Sequence, residues 1–134
     1  MEGVYEPDWP TPASVGSLIT TRRGGVSGGP WRSFNLGHHV GDDPSAVSAN
    51  RARLYDALGL PSSRVHWLEQ VHGTRLVRVP SVESLPAADA AWTDQPREVC
   101  IVMTADCLPG LLFQSRRGFS PSCDRGDRRR HRAG

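Results

Sequence analysis

Val99-Cys100-Ile101-Val102-Met103-Thr104-Ala105-Asp106-Cys107-Leu108-Pro109-Gly110-Leu111-Leu112-Phe113 decides how this chain is read. Two apolar runs rich in Val, Ile and Leu flank a short polar corner, Thr104-Ala105-Asp106-Cys107. Short apolar runs bounded by turn residues predict strands covered on both faces. A Cys and an Asp at the mouth of such strands stand where a site would be built. The residues before this stretch read as the scaffold that reaches it, and those after it are of another character.

At 134 residues the chain can bury the core of one domain. It holds no apolar stretch of membrane-spanning length. Its first residues, Met1-Glu2-Gly3-Val4-Tyr5-Glu6-Pro7-Asp8, lack the basic and apolar regions of a signal peptide, so a cytoplasmic protein is expected. In that compartment Cys100, Cys107 and Cys123 predict free thiols or a metal ligand rather than disulfides. All 16 basic residues are Arg, and the net charge of +2 hides a split. Residues 1–113 carry 9 Arg against 12 acidic residues, whereas 114–134 carry 7 Arg against 2. A nucleic-acid reading from overall charge would therefore be a reading of the tail alone.

Residues 1–14 hold Pro7, Pro10 and Pro12 and read as a loose lead-in. Val15 to Thr21 predicts a strand, with Val15, Ile19, Thr20 and Thr21 β-branched. It enters Arg22-Arg23-Gly24-Gly25-Val26-Ser27-Gly28-Gly29-Pro30. Such a loop either lets backbone N–H groups and an Arg fork approach an anion or is a surface turn. It is neither Gly-x-Gly-x-x-Gly nor a P-loop. In Ser33-Phe34-Asn35-Leu36-Gly37-His38-His39-Val40-Gly41-Asp42-Asp43, the adjacent His38 and His39 point to opposite faces on extended backbone, so one site takes at most one of them. Asp43-Pro44 then opens a helix with Val47, Leu54, Tyr55 and Leu58 on one face and Arg51 and Arg53 largely off it; Gly59 and Pro61 end it. Arg64 to Leu68 and Thr74 to Val79 predict strands, with Glu69-Gln70-Val71-His72-Gly73 between them. His66 lies within a strand and reads as structural. His72, at the corner, is either a surface or capping residue or a side chain aimed into a cleft. Residues 80–98 read as a linker followed by one short strand within Ala88 to Asp94.

Six of these segments, in order, resemble one family. They are Thr20-Thr21-Arg22-Arg23-Gly24-Gly25-Val26-Ser27, Phe34-Asn35-Leu36-Gly37 through His39-Val40-Gly41-Asp42, Asn50-Arg51, Trp67-Leu68-Glu69-Gln70-Val71-His72-Gly73, Ala88-Asp89-Ala90, and Thr104-Ala105-Asp106-Cys107-Leu108-Pro109. Over residues 15 to about 113 the chain resembles the laccase-domain or polyphenol-oxidase-like family, also called peptidoglycan editing factor. The resemblance implies a mixed α/β fold, a layered sandwich of helices and mixed sheets, of which this chain carries about the first half. It implies a zinc-dependent purine nucleoside phosphorylase acting on adenosine, inosine or methylthioadenosine with phosphate, with adenosine deaminase as a side activity. It further implies zinc ligands at His72 and Cys107, zinc rather than copper, a substrate anion contact at Arg22 and a substrate hydrogen bond at Asn35. The family's third ligand comes from a His-Ala-Gly-Trp-Arg-Gly motif that is not found in these 134 residues. A multicopper oxidase needs many His, usually in His-x-His pairs. This chain has 5 His and no such pair, so the oxidase reading is discounted.

Past Phe113 the pattern breaks. Residues 114–134 contain no Val, Ile, Leu or Met, a composition that predicts disorder and that out-of-frame translation of GC-rich DNA would produce. The downstream reading frames of the gene test that origin. Three functions are carried forward: the zinc phosphorylase, with this chain a weakly active or inactive piece; a thiol hydrolase of peptidoglycan-related or amide substrates with Cys107 as nucleophile and His72 as base; and a polyanion-binding tail. Strand surface left uncovered predicts a homodimer or aggregation.

Overall fold

Helix α1 (Pro44–Leu58) is built as its residues dictate. Asp43 caps it by accepting from the Ser45 backbone N–H at 3.0 Å, and Pro44 takes the first turn, where a missing N–H costs nothing. Gly59 ends it at φ 66, a left-handed backbone that Gly adopts without a Cβ penalty. Val47, Asn50 and Leu54 form its buried face. Arg51 departs from expectation. Its guanidinium lies 3.6 Å from the Trp67 ring centroid and its Nε donates to the Leu36 carbonyl at 2.9 Å. The planar fork stacks while it bonds, which brings Arg51 into the packing.

This computed structural model describes residues 2–115 and the backbone of 118–121. It divides into two compact units, residues 2–4 with 20–103, and residues 5–19 with the described residues from 104 onward. Strands are short. β1 (Val4–Tyr5) and β2 (Ile19–Thr20) form a two-stranded sheet. In the first unit β3 (Val65–His66) runs parallel to β6 (Val99–Cys100), pairing Val65 with Val99 and His66 with Cys100. β4 (Leu76–Arg78) runs parallel to β5 (Ala90–Trp92), with Val77 opposite Ala91. The core lies beside β4: Leu68, Val77, Val79 and Ala88 are buried, and Ala91 and Val102 pack on them. His66 is structural, as expected; its Nε2 lies 2.6 Å from Glu98 Oε2, and Arg64 Nη1 donates to Glu98 Oε1 at 2.7 Å.

In the second unit the Trp9 and Phe113 rings meet edge to face with centroids 5.1 Å apart, and the Trp9 indole donates to Ser17 Oγ at 3.0 Å. β7 (Leu112–Ser115) pairs antiparallel with β8 (Gly118–Pro121). That hairpin crosses position 114, where the expected tail begins: backbone ladders form without aliphatic side chains. Residues 116, 117 and 122–134, with Cys123 and most of the predicted disorder, lie outside the described residues.

The stretch read as two buried strands needs correction. Only Val99–Cys100 and Leu112–Ser115 are strand; Leu108 is 88% exposed and Leu112 53%. Pro109 offers no ladder N–H and Gly110 no side chain to pack, so the backbone between leaves the sheet. In β4 Val77 turns inward while Leu76 faces out, and Val79, just past the strand, is buried as well.

Candidate functional site

The sequence-predicted residues sit on three segments. The first is the Gly-rich loop and its continuation, which α1 holds through one fully buried side chain, Asn50. Asn50 Oδ1 accepts from the Val26 N–H at 2.8 Å. Asn50 Nδ2 donates to Ser27 Oγ at 2.9 Å, to the Asn35 carbonyl at 2.8 Å and to the Ser33 carbonyl at 3.3 Å. The Ser27 hydroxyl in turn donates a hydrogen bond to Asp42 Oδ2 at 2.6 Å. A loop without regular structure must satisfy its buried backbone groups by side chains, and here one amide does most of it.

Arg22 and Asn35 are both engaged by that loop. Arg22 Nε and Nη2 donate to the Arg32 carbonyl at 3.2 and 3.1 Å; the residue is exposed, and Nη1 bonds no partner among the described residues. Asn35 Nδ2 donates to Asp42 Oδ2 at 3.1 Å and to the Gly37 carbonyl at 3.3 Å, while its Oδ1 accepts from the Gly37 N–H at 3.1 Å. With both amide protons used, Asn35 has only a lone pair on Oδ1 to offer a ligand.

The second segment is Gln70–Gly73. The N–H groups of Val71, His72 and Gly73 converge on the Asp89 carboxylate at 3.3, 2.9 and 2.7 Å. His72 stands at φ 57, the left-handed region that a residue with a Cβ occupies at a cost. Gln70 pairs with the backbone of Met103 in both directions, Nε2 donating to its carbonyl at 2.8 Å and Oε1 accepting from its N–H at 2.7 Å. The third segment carries Asp106 and Cys107. Both are exposed, and Cys107, like Cys100, is a free thiol.

His72 belongs to the first unit and Cys107 to the second. An imidazole and a thiolate are donors that zinc accepts. Among the described residues, however, no three of His, Cys, Asp or Glu gather where they could hold a metal ion.

Four carboxylates are held below their ordinary range by hydrogen bonds: Asp42 by Ser27 and Asn35, Glu83 by Arg75, Asp89 by the Gly73, His72 and Val71 N–H groups, and Glu98 by His66 and Arg64. Groups whose pKa is depressed by folding add stability that is present above their unfolded pKa and lost as pH falls through the folded one. The urea midpoint is expected to fall steeply below about 4, the unfolded carboxylate range. A midpoint unchanged at pH 3 would show that these clamps do not matter to the fold.

Asn50, Gln70, Asp89 and Asp42 organise the site, and sequence reasoning gave none of them a role. One signal was available. Asn50 interrupts an apolar helix face between Val47 and Leu54, and a polar residue there needs partners.

Comparison with known proteins finds relatives over most of the described residues. A family model described as multi-copper polyphenol oxidoreductase laccase matches residues 16–121, past the Phe113 limit read from the motifs. A purine nucleoside phosphorylase of Haemophilus influenzae is 47% identical over 112 residues, 84% of this chain and 45% of that protein. One of Mycobacterium tuberculosis is 51% identical over 111 residues, 81% of this chain and 44% of that protein. A crystal structure of a Neisseria meningitidis protein superposes with a TM-score of 0.78 at 47% identity, covering 87% of this chain and 47% of that one. The chain thus spans less than half the length of the relatives it matches.

Proposed function

This chain belongs to the multi-copper polyphenol oxidoreductase laccase family, and on that footing we propose that it is the N-terminal portion of a purine nucleoside phosphorylase. The observation that carries the reading is the identity of 47–51% to proteins named for that activity. Phosphorolysis forms a bond between a phosphate oxygen and C1′ of the sugar and breaks the bond from C1′ to the purine nitrogen, which takes up a proton. Phosphate needs a cation, and Nη1 of Arg22, which bonds no partner among the described residues, is the group we assign to it. Asn35 is assigned a hydrogen bond to the nucleoside, as acceptor through Oδ1. Adenosine, inosine and methylthioadenosine are the proposed nucleosides, deamination of adenosine a side activity, and the cytoplasm the compartment. No helix among the described residues is long and apolar enough to cross a membrane.

Zinc, with His72 and Cys107 as two of its ligands and copper as the weaker candidate, rests on the motifs. The motif that supplies the family's third ligand is not found in these 134 residues, so the purified chain is expected to carry well under one equivalent of zinc and to turn over nucleosides weakly or not at all. Elemental analysis finding one tightly bound equivalent would overturn this. The exposed Leu76 and Trp92 of the β4–β5 sheet, 59% and 44% accessible, are where self-association would begin.

A protein of the relatives' full length that carries this segment tests the chemistry. Metal dependence requires that a chelator abolish activity and that added zinc restore it. A Cys107–His72 thiol hydrolase would survive the chelator and be lost to alkylation. In the same protein, Arg22→Ala is expected to raise the phosphate concentration needed for half-maximal rate by about tenfold, the scale of one charge-assisted hydrogen bond. Unchanged phosphate dependence would remove Arg22 from the site.

A further inference from the structure

The Gln70–Gly73 loop is fixed more firmly than its own packing requires. Val71 is 53% exposed, and His72 and Gly73 are exposed as well, so burial does not hold them. The backbone N–H is nevertheless bound at each residue from Val71 to Gly73, and Gln70 is tied down by its side chain. Three consecutive N–H groups enter the Asp89 carboxylate, and the Gln70 amide stands in for a neighbouring strand against Met103. Within this over-determined backbone His72 is kept at φ 57, and its imidazole makes no hydrogen bond to any described residue. Here the main chain is locked and the side chain is left to bond something else, which is how a group is pre-set for a ligand.

We propose that Asp89 and Gln70 are positioning residues for His72: Asp89 holds its backbone left-handed, and Gln70 pins the loop's entry to Met103, so that the imidazole is presented in one orientation. The assignment rests on the reading of His72 as a site residue. Gly73 fits the same picture. A Cβ there would stand 3.5 Å from Asp89 Oδ2, an ordinary contact, so it is the N–H of residue 73 that the clamp uses.

Amide hydrogen exchange and backbone chemical shifts of the isotope-labelled chain test this, with the Val79 amide, bonded to the Trp92 carbonyl, as the reference for the core. Asp89→Ala is expected to speed exchange at residues 71–73 by at least about tenfold, the least that loss of hydrogen bonds to a charged acceptor implies. It should also move the His72 Cα shift out of the left-handed range while Val79 stays protected. Asp89→Asn keeps one acceptor oxygen and should fall between wild type and Asp89→Ala; it carries the same test if Asp89→Ala does not fold. Gln70→Ala should release the Met103 amide in the same way. Residues 71–73 still protected in Asp89→Ala, or Val79 losing protection as much as they do, would overturn the proposal. The underlying reading fails separately. His72→Ala leaves the clamp intact, and full activity of that variant in a full-length protein would remove His72 from the site while the loop stays ordered.

Discussion

Asn50→Ala is expected to destabilise the fold by about 3 kcal/mol, since two part-buried backbone groups lose their only partner among the described residues at about 1–3 kcal/mol each. The count follows from the bonds. Ser27 Oγ keeps its bond to Asp42, and the Ser33 carbonyl keeps the Ser27 N–H at 2.9 Å. Among the described residues the Val26 N–H and the Asn35 carbonyl have only Asn50, at 2.8 Å each. Val26 is 46% exposed, so water recovers part of the loss there and the sum stays nearer the lower end. Against a total stability of about 5–15 kcal/mol this is a large fraction, and urea unfolding should show the midpoint shift. Asn50→Asp is no remedy. It keeps the acceptor for Val26 but turns carboxylate oxygen toward two carbonyls and buries a charge, so it should be at least as damaging. An unchanged midpoint in Asn50→Ala would mean that α1 does not hold the loop.

Gly25→Ala should be of similar size, about 3 kcal/mol, for a steric reason. A Cβ on residue 25 would stand 2.1 Å from the Ser33 carbonyl oxygen and 2.4 Å from the Phe34 Cα. Those are backbone atoms, and they are tied down: the Ser27 N–H binds the Ser33 carbonyl at 2.9 Å, and the N–H groups of Ser33 and Phe34 both reach the Arg22 carbonyl, at 2.8 and 2.9 Å. The loop cannot yield without breaking these bonds. Gly73→Ala is the control. Its Cβ meets nothing closer than 3.5 Å, so its stability should stay within about 0.5 kcal/mol of wild type. Equal losses in the two variants would show that the Gly-rich loop is not closely packed on residues 33 and 34.

These two positions also show what the sequence could and could not disclose. Helix α1 was legible from Asp43 to Gly59 because its cap, its proline and its terminating glycine act locally. The mixed α/β class and the family followed from motifs in order. The strands were over-read: Val, Ile and Leu around Cys107 signal burial only where a second layer covers them, and Leu108 and Leu112 stand exposed. The Gly-rich loop invited an anion-binding reading because glycines expose backbone N–H groups. In the fold Gly25 is there for close backbone approach, and the Val26 N–H is taken by a side chain from α1. No local pattern can reveal a bond between residues so far apart in sequence. The site residues themselves, His72, Cys107, Arg22 and Asn35, came from the family resemblance, and their roles rest on it still. The residues that place the first segments, Asn50, Gln70 and Asp89, lie inside the same motifs but needed coordinates to explain them.

The account stands on the claim that these motifs belong to a purine nucleoside phosphorylase rather than to an oxidase or a hydrolase. One measurement tests that most directly: the products formed from inosine, with and without inorganic phosphate, by a protein of the relatives' full length that carries this segment. The account predicts hypoxanthine and ribose 1-phosphate in equal amounts, formed only when phosphate is present. Hypoxanthine with free ribose in the absence of phosphate, or oxidation of a phenol with dioxygen uptake and no release of base, would contradict it.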